Sequence, residues 1–218
     1  MNDIYKRLFT SIFLIFLLFI AFKNIIIFNF LLILILYQLF YESFNILKKI
    51  FKSKKKILFS YSFLALIFFI FLTVVVYLIL NNEFSNAKSI LIFIISISIC
   101  SDVGGYVFGN LFKGKKISRI SPNKTYSGMF GSYIFSLVIP YYLFNNIVED
   151  YKIIIISLII STITQLGDFF VSFIKRKAKI KDTGSILPGH GGLLDRIDGL
   201  IFVFPVIFVL VSIIKLIK

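Results

Sequence analysis

Polar positions are sparse along the chain and fall at intervals. Between them lie seven apolar stretches, at about 8–22, 25–47, 57–80, 89–110, 126–148, 153–174 and 197–217. A bilayer core of roughly 30 Å is crossed by about 20 apolar residues in a helix, so stretches of this length predict membrane-spanning helices. The first is short, and Lys6 and Arg7 ahead of it resemble the start of a secretory leader. No A-x-A-like cleavage site follows, and another apolar run opens at Ile25, so a span is expected there too. The pattern predicts an all-α fold: a polytopic integral membrane helical bundle of about seven transmembrane helices. About three would lie in an N-terminal region, residues 1–87. About four would lie in a C-terminal region, residues 88–218, together with the polar loops.

Composition agrees. The 218 residues are 59% hydrophobic, against roughly 45–50% in soluble domains, and the mean hydropathy is +0.97. The net charge of +14 would suit nucleic acid in a soluble protein. No basic stretch is attached to a soluble fold here, so no nucleic-acid partner is expected. The charge is read instead as membrane orientation and contact with anionic lipid. With a cytoplasmic N-terminus and seven spans, all but five of the 24 basic residues fall on the cytoplasmic side, the exceptions being Lys23, Lys88, Lys152, Lys215 and Lys218. The polar segments at 48–56, 111–125 and 175–196 then share that side.

Candidate chemistry is limited by what is scarce. A single cysteine, Cys100, excludes an intrachain disulfide and a thiolate metal cluster. A single histidine, His190, excludes paired-histidine zinc motifs. A metal would be held by carboxylates, which favours a hard cation such as Mg²⁺. Ionisable residues inside spans are costly and mark function by default. Glu42, in "YQLFYESF", lies near a lysine cluster and suits either a structural or a functional role. Asp102 and Asp168 lie about 21 and 22 Å along the fourth and sixth spans at 1.5 Å per residue. Both therefore fall in the cytoplasmic third, and Asp195 and Asp198 open the seventh span on the same side. Unpaired carboxylates gathered at one level would repel; a divalent cation removes that objection, and so would pairing of each with a Lys or Arg of the adjoining loops.

Three motifs add direction. In "GDFFVSFIKRKAKIKD" a continuous helix would place Asp168, Ser172, Lys175 and Lys179 on one face, a stripe suited to a metal-bound polyphosphate. In "PGHGG", Pro188, Gly189, Gly191 and Gly192 break regular helix. Backbone N–H groups there, ahead of a helix starting near Leu193, would cradle phosphate oxygens, with His190 as a donor or a turn stabiliser. In "DRID", Asp195 and Asp198 are three apart and would face one pocket, with Arg196 turned elsewhere. "SPNKTYSGMFGS" from Ser121 to Ser132 is a second turn, with Lys124 as a phosphate ligand. "GNLFKGKK" at Gly109–Lys116 mimics a P-loop but lacks its Ser/Thr and preceding strand.

"QLGDFFVSFIKRKAKIKDTGSILPGHGGLLDRIDG" (Gln165–Gly199) closely resembles the signature of phosphatidate cytidylyltransferases, the CDP-diacylglycerol synthases. "SDVGGYVFGNLFKGKK" and "SPNKTYSG" resemble that family's second block. The resemblance covers roughly the C-terminal half; the N-terminal half is similar in hydropathy alone. It implies that CTP and phosphatidate give CDP-diacylglycerol and pyrophosphate, in phospholipid biosynthesis. It implies Mg²⁺ on the residues matching Asp168 and Asp195, with room for a second, monovalent cation such as K⁺. The matching residues Asp102, Ser121, Lys124, Ser172, Lys175, Arg176, Lys181, Asp182, His190, Gly191, Gly192, Arg196 and Asp198 would arrange metal, triphosphate and lipid phosphate. It further implies an active site on the cytoplasmic side of the inner membrane of a bacterium, or of an organelle of bacterial origin, and allows a homodimer. Two alternatives stand beside it. "DRIDG" begins the motif of CDP-alcohol phosphatidyltransferases, but "LIF" follows where Ala-Arg is needed. A cation-coupled transporter would use intramembrane aspartates but gives no reason for "PGHGG".

Overall fold

A computed structural model describes residues 3–81, 87–118, 120–144, 150–189 and 191–217. Among the described residues the chain is all-α, and its pairing outside helices is limited to two isolated bridges, Lys116 with Thr125 and Leu187 with Gly191. The helices are α1 (Asp3–Lys23), α2 (Ile25–Ile50), α3 (Lys55–Asn81), α4 (Ala87–Phe112), α5 (Tyr126–Phe144), α6 (Asp150–Lys177), α7 (Leu194–Ile197) and α8 (Leu200–Ile217). Five of them, α2 to α6, contain stretches long and apolar enough to cross a membrane. The protein is thus a polytopic membrane protein. The other two expected spans coincide with α1 and α8. Their described apolar parts, Phe9–Lys23 and Leu200–Val209, are shorter, so five crossings rather than seven stand on length and composition.

The chain forms two compact units, Met1–Leu78 with Ile174–Ile197, and Ile79–Phe173 with Asp198–Lys218. In the first, α1 and α2 are separated by one residue. Asn24 is extended (φ −130°, ψ 113°), and its side chain accepts from the N–H groups of Ile26 and Ile27. An N-cap of this kind supplies the partners that a new helix lacks, so one polar residue ends one apolar run and starts the next. Lys48 and Lys49 then fall in the last turn of α2, where positive charge suits the helix dipole.

The end of α6 is built by a Schellman motif. The Ile180 N–H bonds the Lys175 carbonyl at 3.0 Å and the Lys179 N–H bonds that of Arg176 at 3.0 Å. Lys179 sits at φ +57°, in the left-handed region where glycine is usual. This corrects the expected stripe: α6 stops at Lys177, so Asp168, Ser172 and Lys175 share its face and Lys179 does not.

In the second unit α4 and α5 meet at glycines. A Cβ on Gly104 would lie 2.7 Å from the Phe135 Cβ, and one on Gly131 would lie 2.6 Å from the Gly104 carbonyl oxygen. The buried positions of α5 are Gly128, Gly131, Ser132, Ser136, Pro140 and Phe144, spaced three or four apart except for the adjacent Gly131 and Ser132, which is one helix face. In lipid, where apolar burial between helices gives little drive, such small residues let backbones approach closely. Phe93, Ile94 and Ile97 of α4, Phe144 of α5, Ile153 and Ile160 of α6, and Val203 and Ile207 of α8 form the core. Buried hydroxyls also tie α4 to α6: Ser101 meets Ser161 at 2.9 Å and Ser98 meets Thr164 at 3.2 Å.

Candidate functional site

Asp168 lies on α6 in the second unit, and its carboxylate forms an ion pair with Lys124. Ser172, one turn on, donates to its Oδ1 at 3.4 Å. Lys124 is aimed by its loop. The Lys124 carbonyl accepts from Ile117 N–H and its own N–H bonds the Ser121 carbonyl, so Ser121 acts through its backbone. Thr125 follows directly as the N-cap of α5, accepting from the Gly128 N–H at 3.1 Å. The Lys124 and Asp168 side chains remain 28% and 29% exposed, so the pair is reachable.

Next to Asp168 the backbone is crowded by design of sequence. A Cβ on Gly167 would lie 2.8 Å from the Asp198 carbonyl oxygen, and one on Gly199 would lie 2.5 Å from Thr164 Cγ2. Two glycines thus bring the start of α8 against α6 at the level of Asp168. The Asp198 carboxylate accepts from the Gly199 N–H at 3.0 Å, in a turn between α7 and α8. The expected helix from Leu193 is therefore only the four residues of α7, and α8 begins afresh at Leu200. Asp102 is exposed on α4, beside the buried Ser101.

In the first unit Asp195 is the organising carboxylate. Its side chain is 6% exposed. Lys175, itself 12% exposed, donates to Oδ1 at 2.7 Å. Oδ2 accepts from the Thr183 N–H at 2.7 Å and the Gly192 N–H at 3.0 Å, with the Thr183 hydroxyl 3.0 Å away. Burial pushes the Asp195 carboxyl up. The hydrogen bond from Lys175, the two backbone N–H groups and the Lys175 charge outweigh it and hold the group below the usual carboxylate range.

Glu42, which the sequence left undecided, is the second hub. It is 1% exposed on α2. Its Oε1 accepts from Gln38 Nε2 at 2.6 Å and the Leu193 N–H at 2.8 Å; its Oε2 accepts from the Thr183 hydroxyl at 2.6 Å and the Leu194 N–H at 2.9 Å. No cation is among these donors. The burial of Glu42 is compensated by these four hydrogen bonds, three of them from the segment between Thr183 and Leu194.

These contacts bear on the expected phosphate cradle. The N–H groups of Gly192, Leu193 and Leu194 donate to Asp195 and Glu42, and that of Gly191 bonds the Leu187 carbonyl at 3.1 Å. These four amides are engaged within the protein in this structure. Gly189 and Gly191 do adopt positive φ, +77° and +85°, as a break in helix requires. His190 lies outside the described residues. Arg176 is exposed in the last turn of α6 and donates to the Ile180 carbonyl at 3.2 Å. Lys181, Asp182 and Arg196 are exposed, Arg196 in contrast to its buried neighbour Leu194. Among the described residues no group of three or more His, Cys, Asp or Glu side chains is arranged to hold a metal.

The chain belongs to the cytidylyltransferase family, whose pattern it matches over residues 3–214. More particularly, it is 46% identical over 116 residues to a phosphatidate cytidylyltransferase of Staphylococcus saprophyticus, covering 50% of this chain and 44% of that protein. To the phosphatidate cytidylyltransferase of Rickettsia typhi it is 44% identical over 117 residues, covering 49% of this chain and 51% of that one. The chain thus spans about half the length of the curated relatives it matches.

Proposed function

We propose that the chain transfers the cytidylyl group of CTP to phosphatidate, forming CDP-diacylglycerol and pyrophosphate, at the cytoplasmic face of a bacterial-type inner membrane. A phosphate oxygen of the lipid would attack the α-phosphorus of CTP, and the bond from that phosphorus to the bridging oxygen would break as pyrophosphate leaves. The nucleophile is already an anion, so the work left to the protein is to bring anions together and hold the leaving group. The relatives named for this reaction support it. The observation that carries it is the pairing of residues: Lys124 ends on Asp168 and Lys175 on Asp195. Each ammonium suited to a phosphate is paired with a carboxylate suited to a metal.

Carboxylates suit Mg²⁺, which keeps several waters and is bound through one or two of them plus substrate phosphates, not an all-protein cage. By the family resemblance, Asp168 and Asp195 are the candidate metal ligands, and the metal would supply charge neutralisation on the triphosphate. Lys124 and Lys175 would turn to phosphate oxygens, with Arg176, Lys181 and Arg196 as further cations at the rim. Asp102, Asp182 and Asp198 would order these cations and the nucleotide.

The test is incorporation of radiolabelled CTP into organic-extractable lipid by purified protein in detergent. We expect label that requires phosphatidate, prefers CTP over ATP, is lost with chelator and returns with Mg²⁺. Absence of labelled lipid, or equal use of any nucleotide, would overturn the proposal. Asp168→Asn and Asp195→Asn should each abolish turnover; a near-normal rate in either would remove it from the metal site.

A further inference from the structure

We propose that Glu42 is a positioning residue, which clamps the segment from Thr183 to Asp195 so that the Asp195 carboxylate is presented in one orientation. Its catalytic meaning rests on the cytidylyltransferase reading above. Glu42 holds both ends of that segment at once: Thr183 through its hydroxyl, and Leu193 and Leu194 through their N–H groups. The same two ends hold Asp195, through the Thr183 and Gly192 N–H groups. The Thr183 hydroxyl lies between the two acids, 2.6 Å from Glu42 Oε2 and 3.0 Å from Asp195 Oδ2. It has one proton, and the shorter contact takes it. Thr183 is thereby locked by Glu42 while its N–H is aimed at Asp195.

The clamp also gives a reason for two signature glycines. A Cβ on Gly184 would lie 3.1 Å from Glu42 Oε1, and one on Gly192 would collide with the Glu42 carboxylate and the Thr183 hydroxyl. Two accepting oxygens are required by counting: each Glu42 oxygen takes two contacts, one of them from a backbone N–H group that cannot reverse. A glutamine would turn one oxygen into a donor and leave one of those N–H groups facing it.

Three variants test this: Glu42→Gln, Thr183→Val, which keeps the shape and loses the hydroxyl, and Thr183→Ser, which restores it. The first readout is hydrogen–deuterium exchange. Peptides covering 182–195 should exchange faster in Glu42→Gln and Thr183→Val than in wild type, and Thr183→Ser should match wild type. The second is kinetic: kcat should fall about tenfold or more in the first two, with the CTP KM within about threefold, because a smaller assembled fraction still binds as before. Unchanged exchange in both Glu42→Gln and Thr183→Val would overturn the clamp. A raised KM at unchanged kcat would overturn it too, by making the segment a substrate contact. Should Glu42→Gln loosen the whole chain, the Thr183 pair decides, since it leaves the Leu193 and Leu194 bonds in place. A wild-type chain without turnover would sink the reaction proposed above, while the exchange result would still decide the clamp.

Discussion

At the residue scale the two ion pairs are unequal, and the difference decides how their variants should behave. Lys124 and Asp168 are each nearly 30% exposed, and a pair so open to solvent is worth about 1 kcal/mol or less. Lys124→Ala should leave thermal stability close to wild type and raise the KM for an anionic substrate. Lys175 and Asp195 are almost enclosed. Removing one partner of such a pair strands a buried charge and costs about 3 kcal/mol. The N–H groups of Thr183 and Gly192 stay on Asp195 and soften that loss. Lys175→Ala should therefore lower the unfolding temperature measurably as well as the activity, and its kinetics alone would not identify a phosphate contact. A Lys175→Ala protein as stable as wild type would contradict the burial described here.

At the scale of elements, the helices were legible because run length alone sets what can cross a bilayer. Asn24 and the lysine cluster after α2 marked their ends in the sequence. The end of α6 was not legible. Its left-handed residue is Lys179, where a reader looks for glycine, and the pattern of lysines invited a longer stripe. Lys179→Gly should stabilise the protein by about 1 kcal/mol, since glycine carries no penalty in that conformation; denaturant or thermal unfolding in detergent would measure it. The fate of the amides just after "PGHGG" was equally hidden. The acceptor of the Leu193 and Leu194 N–H groups, Glu42, is about 150 residues away in sequence, and no local rule links an apolar helix to that loop. The signature singled out candidate residues by resemblance, but could not show that part of it is held by a carboxylate outside it. Gly131→Ala tests the other helix contact: the added methyl would press on the Gly104 carbonyl and the Phe108 side chain, and overpacking of this kind costs about 1–3 kcal/mol.

At the scale of the whole molecule, charge orients the chain. Lys48, Lys49, Lys52, Lys54, Lys55 and Lys56 crowd the connection between α2 and α3 and are all exposed, as the positive-inside rule favours for a cytoplasmic loop. In a Cys100→Ala background, cysteines placed at Ser53 and at Ser185 should both resist a membrane-impermeant maleimide in intact cells and react after permeabilisation. Labelling of either from outside would reverse the orientation assigned to that loop.

The joint between α4 and α5 sets a limit on how this sequence can change. Any single-base substitution that replaces glycine by another amino acid yields a residue with a Cβ, and at Gly104 and Gly131 that atom has nowhere to go. Neither position has an acceptable neighbour in codon space, so relief would need a second, simultaneous change on the facing helix. Around them, lipid-facing positions such as Ile134 and Val138 can trade one apolar residue for another at little cost. The two glycines should persist while their surroundings drift.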